Sequence, residues 1–408
     1  MATRGMEPVG EAVARGQRPI RVAVICDFLE ENWPSMDLNG DMLCHFLQQD
    51  HAREIAATQV RPALHRRLMR IPLIRKPFAW NADRLMNRFV DYPRQVRRQR
   101  DQFDLFHVVD HSYAQLVHDL PANRTLVTCH DLDTFRCLLE PEREPRPRWF
   151  QSMAQRTLDG FRQAAHVICN SNATRSQLLR HGLFPPERVT VIHSGVHPAF
   201  AAIPDPVADA RAAALLPLEA SNAVVLLNVG STIPRKRIDV LLRVFASVVQ
   251  QVPETRLIRV GGPFTEAQLQ LARELGVEQS VLVLPFLDRK ELASVYRRAA
   301  LLLQTSEAEG FGMPLAEAMA CGCPVVASDL PVLREIGGTA CAYCPVGDIG
   351  HWTQTVLGRL RERAEQNGRL KSSRHEALAW VKGFSWAENA RRTAEIYKDV
   401  LQQSAPCH

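Results

Sequence analysis

Twelve short apolar, β-rich runs recur along the 408-residue chain, and each is separated from the next by a longer stretch with helical periodicity. The runs cover 21–26, 54–60, 104–109, 124–129, 166–170 and 189–193, then 223–229, 256–260, 280–284, 300–304, 324–327 and 340–344. This alternation constrains the fold more than any other feature. Parallel neighbours need a crossover of a dozen or more residues, usually a helix, and those helices then cover both faces of the sheet. A chain of this length exceeds one ordinary core and suits two α/β domains of about 200 residues each. An Ala/Pro-rich stretch, 198–220, divides the two series of runs and reads as a connection carrying a short helix. The expected organisation is a tail over 1–19, a Rossmann-like domain over 20–200, a linker over 201–220, a second Rossmann-like domain over 221–385, and a C-terminal helix and tail over 386–408 that crosses back. Doubly wound sheets bind ligands beyond the carboxyl ends of their strands, so two facing halves enclose a shared cleft.

Composition narrows the class. Hydrophobic residues make up 46% and charged residues 23%, as in ordinary globular proteins. No apolar run approaches the ~20 residues needed to span a bilayer. The first residues carry Arg4, Arg15 and Arg18 but no apolar signal-peptide core, and ten cysteines are scattered without a small-scaffold spacing. The expectation is a soluble, cytoplasmic protein with reduced thiols. Cys321-x-Cys323 and Cys341-x-x-Cys344 have spacings that invite a structural zinc, but each pair adjoins or lies in an apolar strand, where cysteine behaves as a small hydrophobe.

The most informative segment is 306–322, SEAEGFGMPLAEAMACG. Gly310 and Gly312 allow close backbone approach to a ligand, and Pro314 suits the first position of a helix whose unpaired amides can take an anion. Glu309 precedes that helix and Glu317 lies within its first turn or so. A carboxylate suits vicinal hydroxyls, whereas beside a diphosphate it is repelled unless aimed at a sugar. The alternative is that both only complement the helix dipole. After the first strand of the second half, Gly230-Ser231-Thr232-Ile233-Pro234 leads into Arg235, Lys236 and Arg237. Three cations at a strand-to-helix junction suit a diphosphate leaving group, and Arg235 and Lys236 are the candidates; a solvated basic turn is the alternative. In the first half His130 follows the strand 124–129, at a carboxyl end facing the cleft. Gly40 precedes a helical stretch, where amides can meet a phosphate.

Together these segments resemble the retaining glycosyltransferases of family 4, which have the two-domain GT-B fold. The resemblance runs from about residue 21 to 400 and is strongest in the EGFG…EAMACG…PVVAS string of the second half. It implies an α/β GT-B architecture and metal-independent hexosyl transfer from a UDP- or GDP-sugar, with no cofactor. By resemblance, Glu309 contacts the donor sugar and Glu317 the ribose diol. Gly230, Gly310, Phe311 and Gly312 lie near sugar or diphosphate through their backbone, Lys236 binds the diphosphate, and His130 sits by the reacting carbon. Two positions depart from the pattern. Ser231 stands where many members carry Arg, which moves that role to Arg235, and the paired glycines near the first helix are reduced to Gly40. Resemblance also implies retention by front-face attack, with a donor phosphate oxygen taking the acceptor proton. Asp131-x-Asp133 has the form of a metal motif but sits in the family's His-Asp context.

The acceptor side is read from charge. Twelve Lys and Arg fall within 61–100 against only Asp83 and Asp91, while the whole chain has net charge +6. Phe78, Trp80, Leu85 and Phe89 are interleaved, which suits an anionic membrane surface and a lipid-linked acceptor; a solvated basic helix or a channel for an acidic acceptor serves equally. No recognition module accompanies the charge, so nucleic acid is not expected as a partner. The segments 27–41, with Trp33, Asp37 and Asn39, and 110–113 are candidate acceptor-facing loops. The expected setting is polysaccharide or glycolipid synthesis, peripheral to the inner membrane face, with a saccharide or lipid-linked acceptor. The alternatives are a nucleotide-sugar epimerase or hydrolase, and a noncatalytic carbohydrate-binding protein. A dehydrogenase is disfavoured because Gly261-Gly262 is not part of a G-x-G-x-x-G fingerprint.

Overall fold

The computed structural model describes residues 18–72, 74–216, 223–365 and 368–404, excepting the side chains of 368–371. Most of the expected tail, 1–17, the end of the linker, 217–220, and the last four residues lie outside the described residues.

All twelve apolar runs are strands, and they form two six-stranded sheets in which every described pairing is parallel. The first sheet holds β1 (Ile20–Ile25), β2 (Ile55–Val60), β3 (Leu105–Val108), β4 (Thr125–Cys129), β5 (His166–Cys169) and β6 (Val189–Val191), in the order β2-β1-β3-β4-β5-β6. The second holds β7 (Val224–Val229), β8 (Thr255–Val260), β9 (Val281–Leu284), β10 (Leu301–Gln304), β11 (Val325–Ser328) and β12 (Ala342–Cys344), in the order β12-β11-β10-β7-β8-β9. Strand order reverses between β1 and β3 in one sheet and between β7 and β10 in the other. Adjacent connections at those points leave on opposite faces, which opens a crevice at the strands' carboxyl ends.

Each sheet is buried on both faces, as parallel sheets require. Along β1, Ala23 and Ile25 join one core while Val22 and Val24 join the core on the other face. The same alternation puts Val225 and Leu227 of β7 on one side and Leu226 on the other. The linker carries the expected short helix, Pro206–Leu215, whose N-cap Asp205 accepts from the amides of Val207 and Ala208.

The helix Trp386–Ser404 crosses back onto the first sheet. Its residues Ala390, Ala394, Tyr397 and Val400 recur at helical spacing and pack on Val22, Val24 and Leu105. Tyr397 Oη lies 2.7 Å from His107 Nδ1, and the other ring nitrogen lies 2.7 Å from Thr128 Oγ1. Complete burial lowers the His107 pKa to about 3, so this ring is neutral. Gly195 is needed where this helix begins, because a Cβ there would lie 2.3 Å from the Trp386 amide nitrogen. Among the described residues no helix is long and apolar enough to cross a membrane. The nine described cysteines are buried and free, and burial pushes the Cys323 and Cys341 thiols up to about 12. Cys323 and Cys341 are protonated core residues, as the strand context implied.

Candidate active site

The two crevices face each other and merge into one cavity of about 700 Å³ between the sheets. The second half contributes the loops after β7 and β10, the two strands flanking its switch point. The first half contributes the ends of β3 and β4 and the N-terminal end of the helix Pro34–Asp50.

The loop after β10 leads into the helix Met313–Ala320. Gly312 caps it at φ 95°, a left-handed conformation that favours glycine, and a Cβ there would lie 2.6 Å from Leu333 Cδ2. The helix begins at Met313, with Pro314 second, so Glu317 falls in its second turn. Gly310 also makes a contact that its motif does not announce. A Cβ on it would lie 2.3 Å from the His130 carbonyl oxygen, so the missing side chain lets the two halves touch backbone to backbone. Ser171 Oγ donates to the Gly310 carbonyl at 3.0 Å and fixes that approach. Gly310, Phe311 and Gly312 all line the cavity, while the Phe311 ring turns inward against His193 and Phe384.

The paired glutamates occupy unlike environments. Glu309 Oε1 accepts from Lys236 Nζ, Gln304 Nε2 and Ser306 Oγ, each at 2.7 Å, whereas Oε2 faces Arg235 Nη1 at 3.9 Å. Burial pushes Glu309 up, but the Lys236 and Arg235 cations and these hydrogen bonds outweigh it and hold the carboxyl below its ordinary range. Glu317 makes no ion pair among the described residues, and Arg289, also on the cavity wall, lowers its pKa less than the Tyr296 hydrogen bond does. Burial pushes it up to about 7, opposed by the 2.9 Å hydrogen bond that Tyr296 Oη donates to its Oε2.

The basic loop divides its labour. Lys236 lies over Gly230, whose φ of 140° brings the backbone close beneath it. Arg235 reaches across the cleft, 3.3 Å from Asp133 Oδ2 and 3.9 Å from Asp131 Oδ2, and its Nη1 donates to the Ala308 carbonyl. The Asp131-x-Asp133 string is thus a counter-charge for this arginine. Arg237, the third cation, is held at φ 49° by a bidentate pair with Asp239 and does not line the cavity. Among the described residues no three or more His, Cys, Asp or Glu side chains converge as metal ligands.

His130 is buried on the cavity wall. Its Nε2 lies 2.7 Å from the Val109 carbonyl, which can only accept, so that nitrogen carries the proton and Nδ1 faces Asn170 Nδ2 at 3.4 Å. Burial lowers its pKa, leaving a neutral imidazole. The expectation for Gly40 is corrected. It is the seventh residue of the helix Pro34–Asp50, off the cavity wall, and a Cβ there would lie 2.5 Å from Cys26 Sγ. Its glycine serves helix-to-strand packing, and no helix terminus is present there to receive a phosphate.

The candidate acceptor loops are only partly at the site. Trp33, Asn39, Asp110, His111 and Ser112 line the cavity. Asp37 instead pairs with Arg61 at 2.9 Å, and Tyr113 is buried beneath the Arg88 guanidinium. The basic segment 61–100 is also less charged in space than in sequence. Glu31, Asp37, Asp41 and Asp119, all from outside it, pair with Arg84, Arg88, Arg61 and Arg97. Of its four interleaved apolar residues Phe78 alone is exposed, at 65%; Trp80 packs on the core, and Leu85 and Phe89 line the cavity. Residues that sequence reasoning missed include Tyr296, Gln304 and Arg259. No local motif marks them, because each reaches the site through a partner on another element.

Comparison with known proteins follows the same division. Residues 217–340 match the family model described as Glycosyl transferases group 1, and residues 41–200 match the one described as Glycosyltransferase Family 4. A D-inositol 3-phosphate glycosyltransferase of Thermobispora bispora is 33% identical over 252 residues, 59% of this chain and 57% of that protein. The chain spans about half the length of the curated relatives it matches. Among solved structures, sucrose-phosphate synthase from Thermosynechococcus elongatus superposes with TM-score 0.70 at 18% identity, over 95% of this chain and 100% of that one. Anabaena HepE in complex with UDP and glucose superposes with TM-score 0.63 at 16% identity, over 95% and 98%. These likenesses establish the GT-B architecture.

Proposed function

The chain belongs to the group 1, family 4 glycosyltransferases, and from that premise we propose that its cleft transfers a hexosyl group from a nucleoside-diphosphate sugar to a saccharide or lipid-linked acceptor, with retention and without a metal. The observation that carries this reading is the placement of Glu309 and Glu317 on either side of the start of one helix, with Lys236 and Arg235 on the facing loop. Glu309 Oε2, which takes none of the three close hydrogen bonds made to Oε1, is the oxygen offered to a sugar hydroxyl. Glu317 takes the ribose diol, and Lys236 with the amides around Gly230 and Gly310–Gly312 takes the diphosphate.

In the reaction, the bond from the anomeric carbon to the diphosphate oxygen breaks and the acceptor oxygen bonds to the same face. The acceptor proton passes to the departing phosphate oxygen. Both His130 nitrogens are engaged by the protein, which supports a phosphate oxygen rather than this imidazole as proton acceptor. His130 then acts as a neutral polar wall near the reacting carbon. UDP is the first nucleotide to test, because HepE was solved with UDP and glucose. D-inositol 3-phosphate belongs in the acceptor screen beside sugars and glycolipids, given the relative's name.

Peripheral membrane contact is proposed for the surface bearing exposed Phe78, Ile71 and Met86 among Arg66, Arg70, Arg75 and Lys76. The deciding experiment for the main reading is thermal shift with UDP-, GDP- and ADP-sugars in EDTA, followed by an acceptor screen. Ligand at 100 times its Kd stabilises by about 2.7 kcal/mol, a shift of several degrees. Silence with every nucleotide sugar, with and without added magnesium, overturns it. Nucleotide release without acceptor favours a hydrolase, and isomerised sugar favours an epimerase.

A further inference from the structure

Arg259 is fully buried in the middle of the second domain, and no carboxylate pairs with it among the described residues. A guanidinium left this way is costly, since burying a charge without a counter-ion forfeits its hydration. Burial alone lowers its pKa, to about 10, so it stays a cation at neutral pH. Its Nη2 donates to the Gly230 carbonyl and its Nη1 to the Gly262 carbonyl, each at 2.7 Å, while Nε has no partner. The guanidinium carbon lies 5.5 Å from the Phe264 ring centroid.

Those two carbonyls belong to the loops after β7 and β8, and Gly230, Ser231 and Gly261 line the cleft. The loops are in contact: a Cβ on Gly261 would lie 2.2 Å from the Gly230 oxygen, and Gly261 has φ 120°. The Gly230 carbonyl is therefore held between Gly261 and Arg259. No peptide here is cis, and in a planar trans peptide the carbonyl and the following N–H point in opposite directions. Holding the Gly230 carbonyl against Arg259 turns the Ser231 N–H the other way. Among the described residues that N–H has no protein acceptor.

We infer that Arg259 is a positioning residue for the donor's diphosphate: it draws the Gly230 carbonyl away from the cleft, aims the Ser231 amide at a phosphate oxygen, and adds a buried positive charge behind the loop. This rests on the reading of the cleft as a nucleotide-sugar site. A carbonyl turned into the cleft would repel a diphosphate, so the arrangement favours phosphate over the nucleoside moiety.

The test compares UDP with uridine by calorimetry on the wild type, Arg259→Met and Arg259→Lys, with folding checked by circular dichroism. The expected result is that Arg259→Met lowers UDP affinity at least tenfold and leaves uridine affinity within twofold. Arg259→Lys, which keeps the charge but loses the fork, should recover part of the difference. If Arg259→Met fails to fold, the UDP-to-uridine ratio of Arg259→Lys decides. An unchanged ratio in the folded variants overturns the inference while leaving the donor site standing. A wild type that binds neither UDP nor any other nucleoside diphosphate overturns the donor reading itself.

Discussion

Lys236 Nζ donates to Glu309 Oε1 at 2.7 Å, joining a cation expected to hold phosphate to a carboxylate expected to hold sugar. The two come from loops 73 residues apart, after strands that flank the switch point of the second sheet. Together with Arg235, the pair keeps Glu309 ionised despite its burial, and the other oxygen lies 3.9 Å from Arg235 Nη1.

Glu309→Gln should therefore separate phosphate binding from sugar handling. UDP affinity is expected to hold within a fewfold, because Lys236 is released rather than removed. Turnover should fall on the order of 10² to 10³, the usual effect of removing one aligned polar contact to the reacting group. Calorimetry with UDP and steady-state kinetics check this; equal loss of folding and turnover would make Glu309 a structural residue.

Glu317 links donor binding to pH. With its carboxyl pushed up to about 7, it is largely protonated below pH 6, and a ribose diol donates best to the carboxylate. UDP affinity should rise between pH 6 and 8, and Glu317→Gln should flatten that rise. Tyr296→Phe removes the hydrogen bond that stabilises the charged form, so it should move the midpoint upward. Stability runs the opposite way. A folded pKa above the unfolded value of about 4.5 means this group's contribution is full below pH 4.5 and is lost as pH rises through 7.

Gly310→Ala should act on the closed arrangement of the halves. Its Cβ would meet the His130 carbonyl at 2.3 Å, and backbone cannot give way as a flexible side chain can. Turnover should drop at least tenfold with little change in circular dichroism, and small-angle scattering should report a larger radius of gyration. A compact, active variant would contradict the contact.

The returning helix offers a test by magnitude. Tyr397→Phe leaves a buried His107 nitrogen without its partner and should cost about 1–3 kcal/mol in urea unfolding. Lys398→Ala, on the same helix, removes an exposed ion pair to Glu54 of the first domain and should cost no more than ~1 kcal/mol. Reversal of that order would mean the helix is held by its surface charges.

Flotation with anionic vesicles at low salt checks the membrane surface. Binding should fall severalfold on replacing Arg66, Arg70, Arg75 and Lys76 by Gln, and again on Phe78→Ser, whereas Arg61→Gln should weaken it less because Asp37 and Asp41 already neutralise that residue. Absence of wild-type binding to anionic vesicles would remove the membrane proposal.

The sequence by itself determined the twelve strands, the helix that starts after Gly312 and the linker helix, because each is written locally in apolar period, β-branched content and capping residues. It also brought Glu309, Glu317, Lys236 and His130 into view, since those sit at strand ends or beside helix starts. Tertiary structure alone decided what these groups meet. Gly40 reads as a loop glycine but packs a helix on Cys26. Asp131 and Asp133 share the spacing of a metal motif, but only the fold shows that they answer Arg235 from the other domain. The charge of 61–100 is partly cancelled by acids outside it, and Arg259 is an unmarked strand residue until two glycine loops fold over it. Hydrogen bonds and charge pairs act over a few ångströms of space, not of chain. Their partners are set only when the parallel sheets bring distant strand ends together.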